Sequence, residues 1–167
     1  IGPLKPVAGA LECRARRIEL AFDVLPGRAD WEKAAQSKSA PTAYRARKNL
    51  ARLDRGESLP THLPYIVQTW AFGDDLAMVF LAGEVVVDYS LRLKREFGAR
   101  LWVNGYSNAM PCYIPSRRIL NEGGYEADFA MIFYDRPTRL APEVEDRIIG
   151  TVHELMPKRF APTPSGK

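Results

Sequence analysis

Hydrophobic and polar residues alternate most clearly between Arg17 and Leu25. This period of two is typical of a strand with one buried face. The residues that share this face are Ile18, Leu20, Phe22 and Val24. Two further apolar runs, Leu63–Phe72 and Leu76–Leu81, are separated only by Gly73-Asp74-Asp75, which predicts a β-hairpin. Arg100–Tyr106 predicts a fourth strand.

Apolar residues at helical spacing predict two amphipathic helices in the second half of the chain. The first runs from Glu84 to Phe97 and stops at Gly98, and the second covers Pro142–Met156. Their predicted inward positions are Val86, Tyr89, Leu93 and Phe97 in the first, and Val144, Ile148, Val152 and Leu155 in the second. Shorter helices are predicted over Ala29–Ser37, Pro41–Arg55 and Ser116–Asn121, while Glu126–Tyr134 fits a helix or a strand. Together these elements predict an α/β fold with a mixed β-sheet and flanking helices.

Composition and charge narrow the functional classes. A hydrophobic fraction of 46% is sufficient for a core, and the longest apolar run is far shorter than the ~20 residues that span a bilayer. The net charge of +4 comes largely from Arg14–Arg17 and the basic stretch Arg45–Arg55. We interpret these residues as a solvated face, with peripheral contact to an anionic lipid surface as the alternative. No nucleic-acid partner is expected, because aromatic residues are not interleaved with the basic ones.

The two cysteines and two histidines carry little chemistry of their own. Cys13 and Cys112 lie far apart in a chain without a disulfide framework, so we expect two free thiols. A nucleophilic Cys112 is the less favoured alternative to a small packing group, since no histidine lies in a local motif with it. His153 occupies the face of the last predicted helix beside Val152 and Leu155, which indicates an ordinary structural role. Trp70 and Trp102 are expected in the core.

Glu84 is the first candidate site residue. It follows the apolar run Leu76–Leu81 and the turn residue Gly83, and is predicted to open the following helix. Such strand-to-helix corners lie at the carboxyl edge of an α/β sheet, where ligands usually bind. The alternative is that Glu84 only favours the positive end of the helix dipole, a contribution of roughly 0.3–1 kcal/mol.

Two tyrosines at turns complete the set of candidates. Tyr113 lies 29 positions after Glu84, and one helix and one strand separate the two. This crossover returns the chain to the same edge of the sheet, so we expect the Glu84 and Tyr113 side chains to lie side by side. Tyr125 follows Gly123-Gly124, whose backbone freedom would let it turn inward. The alternative for Tyr125 is a buried tyrosine that donates a hydrogen bond to a backbone carbonyl.

These motifs resemble those of the neutral/alkaline (non-lysosomal) ceramidase family. The likeness spans roughly residues 63–155 and is concentrated in Ala82-Gly83-Glu84, Asn108, Tyr113-Ile114 and Tyr125-Glu126. The family has a Pro-Gly-Glu turn, a Tyr-Ile pair and a second tyrosine 12 positions later, and here Ala82 replaces the proline. The resemblance implies that Glu84 and Tyr113 are zinc ligands and that Tyr125 donates a hydrogen bond in the transition state.

The resemblance also implies a substrate and a missing part of the site. The family takes two further zinc ligands from upstream histidines, and neither His62 nor His153 lies in a His-x-His or Gly-x-His setting. We therefore expect residues 1–156 to be the C-terminal portion of a larger catalytic domain, inactive without an upstream segment of the same polypeptide. Residues 157–167 are expected to form a disordered tail. The implied reaction is zinc-dependent hydrolysis of a lipid amide, such as ceramide to sphingosine and fatty acid, by a secreted, periplasmic or cell-surface protein. The alternative is a non-catalytic binding or assembly module that retains the fold.

Overall fold

A mixed four-stranded sheet forms the centre of the structure, a computed structural model that describes residues 5–161. Its strands are β1 (Leu11–Ala21), β2 (His62–Phe72), β3 (Leu76–Leu81) and β5 (Leu101–Asn104), in the order β1-β2-β3-β5. The first three are antiparallel neighbours, and β5 runs parallel to β3. The predicted α/β fold with a mixed sheet is therefore confirmed, as is the β2–β3 hairpin.

The first strand begins and ends earlier than its alternating pattern predicts. β1 pairs with β2 along its whole length, from Leu11 opposite Phe72 to Ala21 opposite His62. Pairing with a long neighbour thus gives strand structure to the polar residues that precede Arg17. Val24, predicted to face inward, lies beyond the strand and is 84% exposed, so that part of the prediction is wrong. The other three predicted inward residues of the strand are buried.

Five α-helices and two short 3-10 helices accompany the sheet within residues 5–161. The α-helices are α1 (Arg28–Ala34), α2 (Ala40–Asp54), α3 (Val87–Phe97), α4 (Arg117–Glu122) and α5 (Val144–Leu155). The first 3-10 helix, Phe129–Tyr134, resolves the segment that the sequence left ambiguous, and the second covers Lys158–Phe160. Helices α3 and α5 contribute to the main core, where the predicted inward residues of both are buried. No helix within residues 5–161 combines the length and apolarity needed to cross a bilayer.

Helix α2 uses its basic residues to contact the end of the first 3-10 helix. Lys48 and Arg52 each bind the Asp135 carboxylate at 2.7 Å, and the Arg45 guanidinium donates to the Arg136 carbonyl at 3.1 Å. The basic stretch Arg45–Arg55 was predicted to form a solvated face. Three of its side chains instead make ion pairs or hydrogen bonds within the domain. Tyr44 of the same helix is 66% exposed.

The C-terminal residues described by the structure are packed on the domain. Phe160, predicted to lie in a disordered tail, is buried, and the Arg159 guanidinium donates to the Gly73 carbonyl at 2.8 Å. The prediction is therefore wrong for Lys158–Phe160, and residues 162–167 lie outside the described part of the chain. Trp102, expected in the core, is 58% exposed.

Candidate functional site

The residue pair predicted to form the site lies in a second, two-stranded sheet. Strands β4 (Glu84–Val85) and β6 (Tyr113–Ile114) are parallel, with Glu84 directly opposite Tyr113. Opposite residues of paired strands project on the same face, so the structure brings these two side chains together as the crossover predicts. They do not lie on the edge of the main sheet, because β4 and β6 pair only with each other in the described structure.

Glu84 does not open helix α3, as the sequence predicted. The helix begins at Val87, and Asp88 is the acidic residue of its first turn. Backbone pairing to the segment around Tyr113 holds Glu84 in an extended conformation, with its amide donating to the Cys112 carbonyl at 3.1 Å. Glu84 therefore lies outside the first turn of the helix, two residues before its N-cap Val86.

Gly83 lets the two strands approach each other. Its φ of +75° is unfavourable for residues with a side chain, and a Cβ atom there would lie 2.5 Å from the Cys112 carbonyl oxygen. The Gly83 amide donates to the Ala109 carbonyl at 2.8 Å, and its own carbonyl accepts from the Tyr106 amide at 2.8 Å. Glycine at this position is a condition for the Glu84–Tyr113 pairing.

Two buried tyrosines fix the ends of the small sheet to the core. The Tyr65 hydroxyl on β2 donates to the Ala82 carbonyl at 2.8 Å, just before β4. The Tyr89 hydroxyl on α3 donates to the Pro115 carbonyl at 3.1 Å, just after β6. Both rings are buried in the main core, which raises the pKa of each phenol well above its usual range. These two phenols are neutral structural donors, unlike the tyrosines on the surface of the site.

The Glu84 carboxylate raises the pKa of two neighbouring tyrosines. A hydrogen bond to Glu84 is the main cause that raises the pKa of Tyr113, and the same interaction raises the pKa of Tyr106 to about 12. Both phenols therefore keep their protons at neutral pH. A metal ion bound by Glu84 and Tyr113 would have to replace the Tyr113 proton.

Tyr106 also lies at the site, although it was not predicted from the sequence. It adopts a left-handed backbone with φ of +52°, which is uncommon for a bulky residue. Backbone bonds hold it there: besides the bond from Tyr106 to Gly83, the Ser107 amide donates to the Leu81 carbonyl at 3.0 Å. The preceding Asn104-Gly105 pair is a turn signal, and it was the only sequence feature that could have indicated this conformation.

Tyr125 lies beside Tyr113 but is not buried. Their ring centroids are 5.5 Å apart in an edge-to-face arrangement, and Tyr125 is 52% exposed. Gly123 and Gly124 both have positive φ, as their suggested turn role requires. They direct Tyr125 to the surface of the site instead of the interior, so the alternative of a buried structural tyrosine is wrong.

The remaining candidate groups lie outside this cluster. His153 Nε2 lies 2.6 Å from the Glu96 carboxylate, the structural role predicted for it, and the His62 ring contacts the Thr61 hydroxyl at 2.9 Å. Both cysteines are free thiols, as predicted, and burial raises the pKa of Cys112 to about 12, which does not suit a nucleophile. Within residues 5–161, no three or more His, Cys, Asp and Glu side chains are grouped as a metal ion would require.

Glu84 and Tyr113 alone provide fewer donors than a zinc centre requires. Glu84 and Tyr113 offer two oxygen ligands on one face, whereas structural and catalytic zinc sites use three or four protein ligands, commonly histidine among them.

Comparison of the chain with protein-family models, with curated proteins and with solved structures finds no match in any of the three.

Proposed function

We propose that this chain supplies two zinc ligands and a transition-state donor to a zinc-dependent amidohydrolase that cleaves an N-acyl amide, such as ceramide. The observation that carries the proposal is the pairing of Glu84 with Tyr113 on adjacent strands, although 29 positions separate them. In this proposal the remaining ligands are histidines of an upstream segment that is not among the 167 residues.

The chemistry of the paired residues supports this assignment. A carboxylate is a hard anionic ligand, and a phenol becomes one when a cation displaces its proton. Bound zinc would supply a water of lowered pKa and polarise the amide carbonyl. Glu84 and Tyr113 would hold the ion, with Tyr106 as a neighbouring group whose pKa the Glu84 carboxylate raises.

Tyr125 is placed for a different task. Its ring contacts Tyr113 by an edge, and the residue is 52% exposed. An exposed phenol beside Glu84 and Tyr113 can donate to the oxyanion that develops as the amide carbonyl is attacked. Loss of one such donor typically costs ~10²–10³ in rate.

Zinc content and kinetics of the polypeptide encoded by the complete reading frame test the proposal. Tyr113→Phe should lose zinc, because a ligand is removed. Tyr125→Phe should keep its zinc and lower kcat and kcat/KM together, by about 10²-fold, on an N-acyl sphingoid substrate. Tyr44→Phe, an exposed tyrosine on α2, is the matched control and should change neither quantity.

The 167-residue chain alone should bind zinc weakly, since two oxygen ligands leave a tetrahedral shell half empty. Stoichiometric tight binding by this chain would show that the ligand set is misplaced. Zinc content that is insensitive to both Glu84→Gln and Tyr113→Phe would contradict the proposal and favour the non-catalytic binding or assembly module. Unaltered turnover of Tyr125→Phe would remove the donor role from Tyr125 alone.

A further inference from the structure

Three aromatic rings form an exposed cluster directly beside the candidate site. Tyr125, Phe129 and Phe133 contact one another with centroid separations of 5.6–6.5 Å, and they are 52%, 45% and 56% exposed. We call them the aromatic cluster. Phe129 and Phe133 lie four positions apart on the first 3-10 helix, and Tyr125 joins them to Tyr113. The cluster is therefore continuous with the Glu84–Tyr113 pair.

The surrounding contacts hold the cluster at the surface. The two inward residues of the same 3-10 helix, Ala130 and Met131, are fully buried, so this helix cannot rotate to cover its phenylalanines. Its C-terminal end is fixed by Asp135, which is bound by Lys48 and Arg52 of α2. Exposure of the two phenylalanines is thus imposed by the packing of the helix that carries them.

The exposed area and the charge of the aromatic cluster indicate which class of ligand would fit it. A buried aromatic side chain removes 150–250 Å² from water, so three half-exposed rings offer roughly 300 Å², whereas a standard protein interface needs about 800 Å² from each partner. No charged residue belongs to the cluster, and the nearby Asp128 carboxylate lies 3.7 Å from the Arg139 guanidinium. This surface is too small for a stable dimer and is suited to a narrow, uncharged, apolar ligand.

We infer that the aromatic cluster binds the hydrocarbon chain of the acyl amide, with the amide end directed toward Glu84 and Tyr113. The inference rests on the proposed function for the identity of the ligand. It adds a binding surface, with Phe129 and Phe133 as the residues that select substrates with a long apolar chain. Chain binding itself requires no metal.

Calorimetric titration of the 167-residue chain in EDTA tests this inference. The probes are N-octanoyl, N-decanoyl and N-dodecanoyl ethanolamine, each below its solubility limit. Full burial of a methylene strengthens binding about fourfold, so partial coverage on an open surface should lower the Kd about twofold for each added methylene. The double variant Phe129→Ala/Phe133→Ala should weaken binding at least tenfold and abolish the dependence on chain length.

Val87→Ala/Leu91→Ala is the matched control. These residues are also four positions apart on a helix and are 63% and 61% exposed, but they lie on α3 outside the cluster. This variant should bind like the parent chain, and circular dichroism should show that both double variants are folded. An equal loss of binding in the two double variants would overturn the inference, because the probes would then bind any exposed apolar pair.

Two further outcomes would also overturn it. Sedimentation could show self-association that Phe129→Ala/Phe133→Ala abolishes, which would identify a second copy as the occupant. Binding to phosphatidylcholine vesicles without binding of the monomeric amides would identify a membrane surface. Glu84→Gln separates this inference from the proposed function, since it should reduce zinc binding in the complete polypeptide and leave binding of the amides in EDTA unchanged.

Discussion

Gly83 is the single residue on which the geometry of the candidate site depends most directly. It combines a φ of +75° with a backbone contact that leaves no room for a methyl group, since the Cys112 carbonyl oxygen would lie 2.5 Å from a Cβ atom. The positive φ is unfavourable for any residue with a side chain. The contact adds a steric cost, because the Cys112 carbonyl belongs to the backbone and cannot move without its neighbours. Cys112 immediately precedes Tyr113, so a displacement there changes the separation of the two proposed ligands.

Gly83→Ala should therefore destabilise the protein more than a glycine substitution that has the backbone penalty alone. Gly56 has a φ of +76°, and a Cβ atom at that position would meet no atom within 4 Å, which makes Gly56→Ala the matched control. A left-handed alanine costs roughly 1–2 kcal/mol, and we expect Gly83→Ala to lose at least about 1 kcal/mol more through overpacking. Urea unfolding of the two variants measures the difference. Equal losses would mean that the contact with Cys112 relaxes freely.

At the scale of elements, helices and strands are predicted best where the apolar residues follow one period and are all buried in the core. The β2–β3 hairpin has nearly its predicted bounds, and α5 buries the predicted face. Both elements carry an unbroken apolar pattern, so local preference and tertiary packing agree. The same agreement explains why Tyr89, Leu93 and Phe97 of α3 were identified correctly as core residues.

The differences arise where partners distant in sequence decide the structure. Apolar residues at helical spacing follow Glu84. Pairing with Tyr113 nevertheless keeps Glu84 extended, so α3 begins only at Val87. Tyr106 could not be assigned to the site, because its left-handed conformation depends on bonds to Gly83 and Leu81. The adjacency of Glu84 and Tyr113 was predictable from the crossover, whereas the position of Tyr106 next to Glu84 was not.

At the scale of the whole molecule, arginine–carboxylate pairs join segments that are far apart in the chain. Asp23, just after β1, accepts from Arg139 at 2.8 Å, and Asp88 of α3 accepts from Arg118 of α4 at 3.0 Å. The hydrogen bond from Arg139 is the main cause that lowers the pKa of Asp23, and that from Arg118 is the main cause that lowers the pKa of Asp88. Both carboxylates are mostly shielded from solvent.

These shifts give the stability of the protein a defined dependence on pH. A carboxyl whose pKa is lower in the folded state stabilises that state above its unfolded pKa, near 3.9, and the contribution is lost as pH falls through the folded value. The free energy of unfolding, measured with urea between pH 6 and pH 2.5, should therefore decline below about pH 4. Asp88→Asn should flatten this decline. Asp54→Asn, which removes a carboxylate that is 62% exposed, is the control, and a decline that is equally steep in both variants would contradict the assignment.

The burial of Cys112 has a consequence for measuring how often the small sheet opens. Its thiol is fully enclosed beneath the strand that carries Tyr113, whereas Cys13 is exposed on β1. A thiol reagent should modify Cys13 at once and Cys112 only during transient separation of β4 from β6, so the ratio of the two rates reports the opening equilibrium. Gly83→Ala should accelerate modification of Cys112 and leave Cys13 unchanged. Equal rates in the parent protein would mean that Glu84 and Tyr113 are paired only part of the time.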